Sequence, residues 1–213
     1  WLAQFIKPYL KEDGVVVSVQ NSLNDEWIAP IVGEDRDIGC VLTAGGGELI
    51  GPGDTWRDHL NNSYVLGELD GRVTPRLAKV AEILGAAATI TTTTNIWGAK
   101  WTKLVKTAMA APLAGMTTKR TRELFHDDRC RAVATELAVE TIRVGIALKY
   151  NMEPIVQDLT TEELIAAPDA LLGKGQAALV PGKEAPNFIS QDIAKGRRTE
   201  IDYINGLVCR KGE

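Results

Sequence analysis

The 213-residue sequence predicts an α/β region followed by an all-α region. Three observations carry that expectation. Up to residue 94, buried apolar runs alternate with amphipathic segments, as in a piece of a parallel, doubly wound sheet. After Asn95 the β-branched runs disappear and long helical repeats take over. The composition, 45% hydrophobic and 24% charged, is that of an ordinary globular chain, so both regions have the material for a core. The domains are therefore drawn at 1–94 and 95–213.

Taken in order, WLAQFIKPYL is a short amphipathic segment, GVVVSVQN a buried strand ending in a polar Asn, NDEWIAPIVG a helix and DIGCVLTAG a second strand. GGGELIGPG and SYVLGELDG, separated by a polar segment, read as short strands with hairpin-like turns, LAKVAEILGAA as a helix, and TITTTTNI as a Thr-rich strand or edge. Trp97, Trp101, Leu104, Ala108 and Ala111 then step by four, three, four and three, a helical stripe that Pro112 is expected to interrupt. Val133, Leu137, Thr141, Val144 and Leu148 mark a second long helix. A third starts at Thr160, which has capping-box spacing to Glu163. Residues 168 to 186 hold three Pro and three Gly and read mostly as loop. The last helix is expected from about Asn187 to Val208, with a bend at Gly196.

The formal charge of −4 gives no general attraction to nucleic acid, and the short basic runs around Lys119 and Lys195 read as solvated charge. Cys40, Cys130 and Cys209 are far apart and odd in number, which argues against a disulfide framework or a zinc site and for a reducing cytoplasm. No apolar run reaches the length of a membrane span. With only His59 and His126 available, lysine and carboxylate are the better candidates for catalysis, and no metal site is expected. Trp1 in place of an initiator Met reads as a piece of a longer chain.

GGGELIGPG leads into Leu49, Ile50 and Pro52 rather than into a helix, so a hairpin turn is its expected role, not a phosphate cradle. Lys103 is more informative. It lies just off the Trp97 stripe, and Thr107, Ala110 and Ala114 continue its own face, where small side chains leave room for a ligand or for close helix packing. Glu200, in RRTEIDYING, shares a helical face with Tyr203, Ile204 and Leu207, at the border of a buried surface. It is either a solvated rim residue or an acid held for chemistry. Asn21 ends the first strand, where open α/β sheets place ligand contacts, and is either such a contact or a turn residue.

At these same residues the sequence resembles the ketopantoate reductase (2-dehydropantoate 2-reductase) family. The likeness rests on VVVSVQNSLNDE, GCVLTAG followed by PG, KWTKLVKTAMAAPLAG, the helix ending VGIAL, and SQDIAKGRRTEIDYING. The landmarks occur in the family's order and cover nearly the whole chain. The resemblance implies the C-terminal part of a Rossmann-type domain followed by a helical domain of the 6-phosphogluconate dehydrogenase C-terminal-like kind, with the site in the cleft between. It implies NADPH-dependent reduction of a 2-oxo acid to a 2-hydroxy acid, as in pantothenate biosynthesis, with NADP as cofactor. Lys103 would be the general acid. Glu200 would bind substrate near the nicotinamide ribose, Asn21 would touch cofactor and substrate, and Gly45 would lie beside the cofactor. The expected partners are a small 2-oxo acid and a second copy of the chain, with no nucleic acid and no membrane.

The departures gather on the substrate side. Thr107 and Ala111 stand where the family has asparagines, Phe188 where it has a serine, and Ser22 where it has a glycine. Fewer polar groups argue for a substrate less polar than ketopantoate, because a ligand's unpaired hydroxyls are costly to bury. The glycine fingerprint and the residues that read the 2′-phosphate lie, in the family, upstream of the position of Trp1. The competing expectation is a non-catalytic ligand-binding or dimerisation module that keeps the fold. A third is a related reductase acting on hydroxy acids or imines.

Overall fold

The computed structural model describes residues 1–57, 61–154, 161–166 and 186–213, apart from the side chain of Arg122. The chain forms two compact units, residues 1–44 with 61–100, and residues 45–60 with 101–213.

The first unit opens with α1 (Leu2–Ile6) and a 3-10 turn (Lys7–Tyr9), neither of which buries a residue within the chain. Trp1 stacks on Phe5, which in turn meets Tyr9, an aromatic row at four-residue spacing. Next come β1 (Val16–Ser18), α2 (Asp25–Val32) and, after a 3-10 turn, β2 (Asp37–Ala44). The unit resumes with β5 (Ser63–Glu68), α3 (Pro75–Gly85), β6 (Thr89–Thr92) and the first residues of α4 (Ile96–Thr117). Between β2 and β5 run β3 (Gly47–Gly51) and β4 (Asp54–Arg57) of the second unit.

The main sheet has the order β1-β2-β5-β6. β1 runs parallel to β2 and β5 parallel to β6, but β2 and β5 are antiparallel, with Cys40 opposite Leu66. The piece of parallel, doubly wound sheet expected from the sequence is thus a mixed sheet, parallel at both edges and antiparallel at its centre. Among the described residues no helix lies between β2 and β5 to carry the chain back across the sheet and start a parallel strand. The core of the unit is Ile38, Cys40, Leu66 and Leu77, each 1% exposed or less. Burying an aliphatic side chain of this size is worth about 1.5–3 kcal/mol. Gly39 and Gly67 face each other in the β2–β5 register, and the space left by two absent side chains is filled by Ile96. α3 starts at Pro75, two residues before the segment LAKVAEILGAA read as a helix, with Thr74 accepting from the Leu77 amide and Pro75 in the first turn.

The second unit joins the β3–β4 hairpin to the helices. Gln191 donates to the Gly47 carbonyl at 3.0 Å and Lys195 to the Leu49 carbonyl at 3.1 Å, so the glycine-rich hairpin is tied to α8 (Phe188–Ala194). The other helices are α5 (Thr121–His126), α6 (Asp128–Ala147), α7 (Thr161–Ala166) and α9 (Asn205–Gly212). Thr160 and residues 168–185 lie outside the described residues, as does His59.

α4 runs straight through Pro112, contrary to the expected interruption. Proline cannot donate to the carbonyl four residues back, that of Ala108. The side-chain amide of Asn205 takes over that bond at 3.0 Å, so α9 repairs the defect in α4. Trp101 fixes α4 against α6. Its indole is fully buried, donates to the Thr141 carbonyl at 3.0 Å, stacks on Tyr150 and fills the space beside Gly145, where a β-carbon would run into the ring.

The single C-terminal helix expected from about Asn187 to Val208 is three pieces. α8 ends at Ala194, Gly196 takes φ +63°, a 3-10 turn covers Ile201–Tyr203, and α9 begins at Asn205. A left-handed residue cannot continue a right-handed helix, so Gly196 ends the pattern rather than bending it.

Candidate active site

Lys103 lies on the second turn of α4, half-buried. Its amine is pushed below the ordinary lysine value, chiefly by burial and then by the like charge of Lys106, one turn further on. Lys106 is itself lowered by burial. No carboxylate pairs with Lys103 among the described residues, so an amine that has lost solvent keeps no counter-charge. Thr107, one turn above, turns its hydroxyl inward and donates to the Lys103 carbonyl at 2.9 Å. With Ala111 fully buried beyond it, this face of α4 offers no free hydrogen-bond donor at either position.

Glu200 immediately precedes the 3-10 turn at Ile201–Tyr203 and is exposed, because the helix on which its border position depended is not continuous. Its carboxyl is raised by partial loss of solvent and then by Asp192. Lys103 and Glu200 form no ion pair, and neither is a cause of the other's shift. The acid that perturbs Glu200 is Asp192, itself near Arg197 at 3.4 Å.

Asn21 follows β1 and is half-buried, and its side-chain amide makes no hydrogen bond among the described residues. The turn it belongs to is tightly held. Ser22 has φ +76°, a conformation that non-glycine residues adopt rarely, and Asn24 donates back to the Asn21 carbonyl at 2.5 Å. Gly45, at φ +143°, leads from β2 into the hairpin. Phe188 is the first residue of α8 and is half-buried, while Ser190, two positions on, faces away from it, with its hydroxyl buried and unpaired among the described residues.

Sequence reasoning missed the most deeply buried charges. Lys100 is 1% exposed, ion-paired to Asp25 at 2.6 Å and hydrogen-bonded to the Cys40 carbonyl at 3.0 Å. Asp37, wholly buried, has no hydrogen-bond partner for either carboxyl oxygen among the described residues. Its carboxyl is pushed up to about 7 by burial and then by Asp25, with Lys100 and Arg76 opposing. The Cys40 thiol is pushed up to about 11, again mainly by burial. Nearby, Glu68 is paired to Arg76, and that hydrogen bond holds its carboxyl below the usual range. One signal for Lys100 was present: four residues before Leu104 and eight before Ala108, it falls on the buried stripe itself. Among the described residues no group of three or more His, Cys, Asp or Glu could hold a metal, and no helix is long and apolar enough to cross a membrane.

The structure combines a mixed α/β sheet with a set of helices. Residues 95–213 match the family described as ketopantoate reductase PanE/ApbA C terminal, and the chain belongs to that family. It is 28% identical over 207 residues to the 2-dehydropantoate 2-reductase of Archaeoglobus fulgidus, covering 94% of this chain and 62% of that one. The corresponding enzyme of Pyrococcus horikoshii is 27% identical over 201 residues, 92% of this chain and 60% of that one. The chain thus spans about three fifths of the length of the curated relatives it matches. Among solved structures, D-mandelate dehydrogenase with NADH and anilino(oxo)acetate has a similar fold, with a TM-score of 0.78 at 22% identity over 99% of this chain and 65% of that one.

Proposed function

We propose that this chain is the greater part of a nicotinamide-dependent oxidoreductase that reduces a 2-oxo acid to a 2-hydroxy acid, as the names of its relatives suggest. The observation that carries the reading is Lys103, a half-buried amine lowered by burial that has no counter-charge among the described residues and sits inside the matched family segment. Reduction places negative charge on the former carbonyl oxygen. A positioned ammonium stabilises that charge and supplies the proton, and an amine whose pKa is drawn toward the working pH gives the proton up more readily. Lys106 is suited to hold the substrate carboxylate in the same cationic field.

The residues present fit the nicotinamide end of such a cofactor better than its phosphates. The Asn21 amide is half-buried and free to bond a ligand, and Gly45 presents no side chain to one passing close. The glycine-rich GGGELIGPG is a hairpin and offers no helix N-terminus to a pyrophosphate. When bound, NADPH supplies the hydride. Glu200, exposed and raised in pKa, is suited to contact the ribose or the substrate from the solvent side. Thr107, Ala111 and Phe188 favour a substrate side chain less polar than that of ketopantoate. The competing reading, a binding module without turnover, would use the same amine only to hold an anion, so turnover separates the two readings.

The test is NADPH oxidation by the full-length protein with ketopantoate and with branched and aromatic 2-oxo acids. Turnover with a 2-oxo acid, lost in Lys103→Ala without loss of fold, is expected. Absence of turnover with every acid overturns the reading, and a clear preference for ketopantoate overturns the less polar substrate.

A further inference from the structure

The turn after β1 is held in a shape it would not adopt alone. Ser22 occupies the left-handed region, Leu23 is fully buried, and the Asn24 amide closes on the Asn21 carbonyl. One residue later Asp25 starts α2, and its carboxylate is held by Lys100, which also donates to the backbone of β2 at Cys40. Three elements therefore meet on a single ammonium: the start of α2, the middle of β2 and the first turn of α4. Asp37, at the head of β2 and equally shielded from solvent, has no hydrogen-bond partner of its own among the described residues. Two acids share the surroundings of one cation.

We propose that Lys100 is a positioning residue for the Asn21 turn, and that a proton on Asp37 keeps Lys100 committed to Asp25. The inference rests on the reading of Asn21 as a ligand contact. With Asp37 neutral, the buried group holds one positive and one negative charge and is balanced. Once Asp37 loses its proton, a second carboxylate draws on the same ammonium, the bond to Asp25 weakens, and the restraint four residues from Asn21 relaxes. The charged and titratable groups facing Asp37 fit this account. Asp25 of α2 raises its pKa, while Lys100 of α4 and Arg76 of α3 lower it. Arg76 is already committed to Glu68 of β5, and the Cys40 thiol of β2 stays neutral. Burial dominates, and the changeover falls near pH 7.

The experiment follows the Asp carboxyl carbons and the backbone amides of residues 21–25 by NMR on the full chain, from about pH 5 to 9, a span that brackets the shifted carboxyl. The wild type should show one Asp carboxyl titrating at about 7, absent in Asp37→Asn, with the amides of Ser22 and Asn24 moving at the same midpoint. In Asp37→Asn those amides should hold their low-pH positions throughout, and in Lys100→Met they should sit at the high-pH positions at every pH. If Lys100→Met does not fold, the wild type and Asp37→Asn still decide. An Asp37 carboxyl that titrates in the ordinary carboxylate range, or amides at 22–24 that ignore its titration, overturns the inference. None of these readings requires turnover. A wild type without reductase activity would defeat the functional reading and leave the switch standing, whereas active enzyme with indifferent amides would do the reverse.

Discussion

Lys100 and Lys103 sit one turn apart on α4, and their surroundings are opposite. Lys100 is wholly buried but has a carboxylate at 2.6 Å and a carbonyl at 3.0 Å. Lys103 is only half-buried, yet the charge that acts on it is another lysine, and its amine is pushed down. Depth of burial therefore does not pick out the amine proposed to react. What matters is whether the lost hydration is replaced, because a compensated ammonium is structural and an uncompensated one is poised to give up its proton or to receive an anion.

Exchanging the two lysines' roles by mutation gives the sharpest test. Lys103→Met should lower turnover on the order of 10²–10⁴-fold, the usual contribution of a positioned acid, while changing stability by less than about 1 kcal/mol. Lys100→Met should do the reverse in stability, costing about 3–5 kcal/mol in denaturant unfolding, because it strands the Asp25 carboxylate. If both variants lose stability equally, the contrast between them collapses.

Asp37 refines the comparison through pH. Its carboxyl is at about 7 in the folded chain against 3.8 unfolded, so across that window the folded state binds more protons than the unfolded one. Stability then falls as pH rises from near 4 to 7 and levels off above, by at most about 1.4 kcal/mol per pH unit from this group. Thermal melts of Asp37→Asn should lack that slope. The smallest expected effect lies away from the lysines. Asn205→Ala should cost about 1–3 kcal/mol by leaving the Ala108 carbonyl without a donor, with little change in the pH profile of turnover.

Much of this was legible in the sequence. The stripe from Trp97 to Ala111 is the buried face of α4, and the strand and helix order up to Thr92 follows the apolar pattern except at β4, which lies in a polar segment. Lys103 could be singled out because small residues continue its face. Other features were not legible, for physical reasons. The antiparallel β2–β5 pairing depends on the chain returning through a hairpin instead of a helix, which a strand pattern does not encode. Charged residues such as Asp25, Asp37 and Lys100 look like surface until their partners, up to 75 positions apart, are brought together. Glu200 was placed by a helical repeat that Gly196 ends. The run through Pro112 depends on a side chain 93 positions away.

That last dependence couples two distant positions. While residue 112 is proline, residue 205 must carry an amide hydrogen for the Ala108 oxygen. Replacing the proline with alanine would let the backbone serve that oxygen itself and release the asparagine from its duty. A double-mutant cycle on the two should be strongly non-additive, and related sequences lacking this proline should be free to vary at the asparagine.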